Sequence, residues 1–284
     1  MLINNKLQAL IIIAGILALT LLLHHNVDET SSQQEQEELI VYAGAAAAPV
    51  YREAAMLFET KYKVKVNLIL GGSGSLLSSL EITRQGDIYI PGSPEYLLKA
   101  NEKGIVNFTE SKPRIFAYLV PAIIVQKGNP HGIKELEDLS RPGLRVGIGD
   151  PETVCVGLYA VEILNNTGLL EKISTNIVTH AASCEALANQ IYIGALDAII
   201  GWHIFYYWSP DKSEIIWINP EKIHKIGYIA GAVTSFTRNK ELAEKFLDFL
   251  SSPEVQEIWR KYGYYATLDE AKAHAPNAVI EELG

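Results

Sequence analysis

Two hydrophobic rhythms run along this chain, and the points where one gives way to the other divide it into elements. Residues 39–43 (LIVYA) form a short apolar run of strand type. Residues 49–62 instead carry Val50, Ala54, Leu57 and Phe58 at helical intervals, with Pro49 suited to a first helical turn. Residues 64–70 (VKVNLIL) alternate with period two and predict a strand, followed by a helix over 76–84, a strand over 87–90 and a helix over 94–103. The β-α-β-α-β-α order implies a parallel sheet with helices on its faces.

Residues 117–126 (AYLVPAIIVQ) read as one long apolar strand that leaves this first unit. A second α/β unit follows, with strands over 144–148, 176–179 and 197–200 and helices over 154–165 and 184–193. The apolar run 223–234 returns the chain to the first unit, and two helices (240–250 and 253–262) close it, the second capped by Ser252. This predicts lobe I from 39–118 and 230–284 and lobe II from 119–229. Two crossover strands join them as a hinge, with a cleft where both sheets end.

The N-terminus adds a location. Residues 7–23 (LQALIIIAGILALTLLL) are apolar and uncharged, follow Lys6 and span about 25 Å as a helix, which Ile3, His24 and His25 extend toward membrane thickness. Residues 1–25 are therefore read as a membrane helix. A cleaved secretory signal is the alternative, although no A-x-A site and no cysteine for lipidation follow. Either places the bulk of the chain outside the cytoplasm, tethered or released. Residues 26–38 (NVDETSSQQEQEE) lack hydrophobic periodicity and read as a linker. The net charge of −9 argues against a nucleic-acid partner. It leaves an anionic ligand open, because local donors rather than bulk charge hold a buried ion.

Candidate chemistry lies in three strand-to-helix loops: 44–48 (GAAAA), 71–75 (GGSGS) and 149–155 (GDPETVC). Each sets small residues before a helix start, where unpaired N–H groups and the positive end of the dipole favour an anion. None fits a nucleotide fingerprint: the P-loop lysine and the G-x-G-x-x-G spacing are both missing, and no cofactor is implied.

The third loop continues as GDPETVCVGLYAVEIL (149–164), which resembles the GDP-x-x-x-P-A-G-x-Y-A segment of the extracytoplasmic molybdate-binding proteins of ABC transporters. VYAGAAAA (41–48), GGSGSLLSSLE (71–81), DIYIPGS (87–93), GALDAIIGW (194–202) and KFLDFLSSPEVQEIWRKYGY (245–264) extend the resemblance. It implies the two-lobed α/β type II periplasmic-binding-protein fold, a monomer, and capture of molybdate, tungstate or a similar oxyanion for an ABC permease and its ATPase. Carried over residue by residue, Ser73 is the family's second serine, and Ala46 stands where the first is expected. Val156 and Cys184 fall on backbone-donor positions, and Trp202 replaces a tyrosine. The hydroxyl missing at Ala46 weakens the set or moves the burden to Ser75, Tyr42 or water. Such a set of neutral donors would favour a fully deprotonated molybdate over hydrogen phosphate, whose own donor would face donors.

On the same pattern Cys155 and Cys184 lie at the cleft wall, and three readings stay open. They form a disulfide in an oxidising compartment, they are free thiols or thiolates that bind a soft metal ion or a thiophilic anion together with His203 or His180, or they are small buried residues without a role. A cysteine-dependent enzyme would use Cys155 at a helix start with His180 or His203 as base. No hydrolase signature surrounds Cys155, so the chain reads as a binder and not an enzyme.

Overall fold

The computed structural model describes residues 37–283. The expected membrane helix and most of the linker lie outside the described residues, and no described helix is long and apolar enough to cross a membrane.

From Glu38 the chain builds two five-stranded sheets. The first begins with β1 (Glu38–Gly44), α1 (Ala48–Tyr62), β2 (Lys65–Gly71), α2 (Ser73–Thr83), β3 (Ile88–Ile90) and α3 (Pro94–Glu102). Pro49 and Pro94 occupy first-turn positions of α1 and α3, where a missing N–H costs nothing. β1 pairs in parallel with both β2 and β3. The three following loops therefore leave from one edge of the sheet, the edge where ligands gather in open α/β sheets.

The run read as one strand over 117–126 is two, β4 (Arg114–Leu119) in the first sheet and β5 (Pro121–Gln126) in the second. The break at Val120 has a local cause. Pro121 offers no N–H for a continuous ladder, and the Val120 N–H donates to Nδ1 of His203, 3.1 Å away, and not to a neighbouring strand.

The second sheet adds β6 (Val146–Gly149), α4 (Cys155–Asn166), α5 (Leu170–Ser174), β7 (Ile177–Ala181), α6 (Cys184–Tyr192), β8 (Ala198–Trp202), α7 (Ile204–Trp208) and β9 (Ser213–Ile216). β10 (Gly227–Val233) then returns to the first sheet, followed by α8 (Lys240–Leu250), α9 (Pro253–Lys261) and α10 (Leu268–Lys272). Strand orders are β2-β1-β3-β10-β4 and β7-β6-β8-β5-β9. The sheets are mixed where parallel sheets were expected: β10 runs antiparallel to β3 and β4, and β5 antiparallel to β8 and β9. The reason lies in the connectivity. A strand arriving from the other half starts at the edge facing that half, where the parallel strands end, and so runs against them.

One apolar cluster joins the first sheet to the helices of the second half, through Val154, Cys155, Leu187 and Trp202. A second fills the far face of the second sheet. β5 serves both, sending Ala122 and Ile124 into one and Ile123 and Val125 into the other, as a period-two strand buried on both faces should. The C-terminal stretch, read with lobe I, sends Ala271, Ala275 and Ala278 into the second cluster. Its helix α10 starts with a capping box between Thr267 and Glu270.

Candidate functional site

The loops that end the parallel strands of both sheets meet. The Gly74 N–H donates to the Thr153 carbonyl at 2.8 Å, and the Tyr96 hydroxyl to the Glu152 carbonyl at 2.8 Å. Arg52 pairs with Glu185 at 3.0 Å on the rim, where a half-exposed ion pair adds little. Asp150 organises its own loop. One carboxylate oxygen accepts from the Glu152 and Thr153 N–H groups and from the Thr153 hydroxyl. That hydroxyl first, and the two amides with it, hold the Asp150 carboxyl below its ordinary range against the opposing effect of burial.

At the centre of the contact lies Cys155, the first residue of α4. Gly92 packs against it so closely that a Cβ there would stand 2.6 Å from the Cys155 sulfur and 2.9 Å from the Ala46 Cβ. The Ser73 hydroxyl oxygen accepts from the Gly92 N–H at 3.0 Å, which leaves its proton free to donate. Ala46 is buried and presents a methyl, while its carbonyl accepts from the Tyr264 hydroxyl. Cys184, first in α6, places its sulfur 3.6 Å from that of Cys155 as a pair of thiols. Burial alone would push Cys155 up. The Cys184 thiol, the Trp202 indole N–H and the Val156 backbone N–H outweigh burial and bring Cys155 below an ordinary thiol, whereas burial and Cys155 push Cys184 up. Two helix starts and an indole thus converge on one point with donors that favour negative charge.

Several buried polar atoms around this point have no hydrogen-bond partner among the described residues: the Ser93 hydroxyl, both Glu95 carboxylate oxygens, the Tyr159 hydroxyl and Trp202 Nε1. Tyr159 stacks edge-on against Trp202 with ring centroids 4.8 Å apart. Burial, and then the nearby Glu95 carboxylate, hold its hydroxyl well above the ordinary tyrosine range. Buried polar groups are nearly always paired, so a cluster of orphans calls for an explanation.

The structure therefore brings together Ala46, Ser73, Val156, Cys184 and Trp202. Ser75 is exposed, turned away on the first turn of α2. His203 is also elsewhere. Its Nδ1 accepts from the Val120 N–H, and its Nε2, 2.9 Å from the Gly263 carbonyl, donates to it. The soft-metal set of Cys155, Cys184 and His203 is thus not assembled, and among the described residues no group of three His, Cys, Asp or Glu side chains is placed to hold a metal. Sequence reasoning passed over Ser93, Glu95 and Tyr159. The first two sit in a PGSPE segment (91–95) that follows β3 as the other loops follow their strands. A wide open cavity of about 660 Å³ lined by Leu98, Asn101 and Phe108 lies apart from these groups.

In this topology, donors from two sheets close on one buried point. The chain belongs to the family of bacterial extracellular solute-binding proteins, whose model matches residues 39–265; these proteins bind solutes and are not enzymes. It is 22% identical to the molybdate-binding protein of Rhodobacter capsulatus over 75% of this chain and 82% of that one. It is 25% identical to the sulfate-binding protein of Synechococcus elongatus over 75% of this chain and 66% of that one. The periplasmic molybdate-binding protein of Azotobacter vinelandii shares the fold, with a TM-score of 0.70 at 19% identity, covering 81% of this chain and 99% of that one.

Proposed function

We propose that this protein captures a small tetrahedral oxyanion at the Cys155 centre and delivers it to an ABC importer, held at the membrane by residues 1–25. The observation that carries this is the Trp202 indole N–H, wholly buried and, apart from the Cys155 and Cys184 sulfurs it faces, without a hydrogen-bond partner, beside the Ser73 hydroxyl and the Val156 amide at the start of α4. All three are neutral donors, and an oxyanion is the guest that accepts from all of them. Molybdate and tungstate are the members that the family resemblance implies, and relatives named for molybdate and for sulfate show how the same fold serves more than one such anion.

Calorimetric titration with molybdate, tungstate, sulfate and phosphate tests the reading. At least one should bind, and Ser73→Ala should weaken it about tenfold, the worth of one hydrogen bond to a charged acceptor. Absence of binding by all four, with the protein folded and reduced, contradicts it.

A further inference from the structure

Resting on that reading, we infer that the guest brings its own proton, because the buried Glu95 carboxylate, just past the loop whose Gly92 packs on Cys155, is an acceptor that a hydrogen-bearing oxyanion would satisfy. The class is that of monohydrogen phosphate and arsenate, in which one oxygen keeps a hydrogen while the others accept.

The argument starts from what faces Glu95. It is the second residue of α3, and its side chain makes no capping bond to that helix. Its stem is partly exposed, yet both carboxylate oxygens are buried and unpartnered. Neither cation of α3 and its cap answers it: Lys99 lies over the Tyr96 ring at 5.0 Å, and Lys103 pairs with Glu81 at 2.8 Å. Besides burial, Glu95 raises the Tyr159 hydroxyl by its charge and by a side-chain hydrogen bond, and it acts through charge alone on Cys155, Tyr96 and Tyr228. Tyr159 has one proton, so its contact with Glu95 serves one carboxylate oxygen at most and leaves the other open. A carboxylate oxygen accepts and does not donate. A guest made only of acceptors would leave that oxygen unpaired. A hydrogen-bearing oxyanion instead donates to Glu95 while accepting from Ser73, Trp202 and the Val156 amide, so the orphans on both sides are paired at once.

The test is calorimetry on the reduced full chain and on Glu95→Gln, at mildly alkaline pH, with phosphate and arsenate against sulfate and molybdate. The wild type should bind the first pair at least about tenfold more tightly than the second. In Glu95→Gln, whose amide can donate, the order should invert. A wild type that prefers sulfate or molybdate, with a ratio unmoved by Glu95→Gln, overturns the inference while leaving the oxyanion reading intact. Binding of none of the four removes both. If Glu95→Gln does not give a cooperative thermal transition, the wild-type order alone decides.

Discussion

Replacing Gly157 by alanine is expected to destabilise the protein by about 3 kcal/mol, against the gain of up to ~1 kcal/mol that Gly→Ala brings inside an ordinary helix. A Cβ at this position would stand 2.3 Å from the Gly149 carbonyl oxygen and 2.6 Å from that of Asp150. Both are backbone atoms, so relief comes only from prising the start of α4 off the end of β6. That motion carries the Val156 amide and the Cys155 sulfur with it, and guest affinity should fall beyond what the stability loss explains. Urea unfolding reads the effect as a lower midpoint with an unchanged slope. A variant as stable as the parent, or more so, would show that this loop is packed otherwise.

The second large effect is acid sensitivity through His203. This side chain is fully buried, and burial lowers its pKa from the ordinary 6.5 to about 4, although the carbonyls of Gly263 and Val120 oppose the shift. The unfolded chain therefore takes up a proton at a pH where the native ring stays neutral. The neutral ring's contribution is complete above 6.5 and is lost as pH falls toward 4, amounting to about 3 kcal/mol in all. The structural consequence is specific, because Nδ1 accepts from the Val120 N–H at the point where the chain crosses between the sheets. A protonated ring would confront that donor with another. His203→Gln, which keeps an acceptor and a donor but does not titrate, should flatten the acid limb of the stability curve by a similar amount. Equal acid sensitivity in both proteins would contradict this assignment.

Much of this architecture was legible in the sequence, and the failures have particular causes. The helical spacing after Pro49 identified α1 because that helix buries one face, and the period-two run before Gly71 identified β2, which pairs with β1 along its length. The break at Val120 was hidden inside a continuous apolar run. Its cause, a histidine that takes the Val120 N–H, lies 83 residues away. Mixed strand direction was equally hidden, since direction depends on which edge the chain arrives from. At the candidate site, Ser73 and Trp202 were singled out through family motifs. Ser75 was misplaced for a helical reason: two residues along a helix is about 200° of rotation, so a neighbour two positions on faces away. Glu95 was passed over because an acid in a first helical turn is commonplace, and only burial without a partner sets it apart.

The central claim meets its most direct test in the indole region of a nitrogen–proton correlation spectrum. Four tryptophans are present, and the Trp259 N–H already donates to the Leu250 carbonyl at 3.1 Å. On saturation with the tightest-binding oxyanion, the Trp202 indole resonance should move downfield as its N–H gains an acceptor, while that of Trp259 stays in place. An unmoved Trp202 signal under saturating oxyanion would contradict the account.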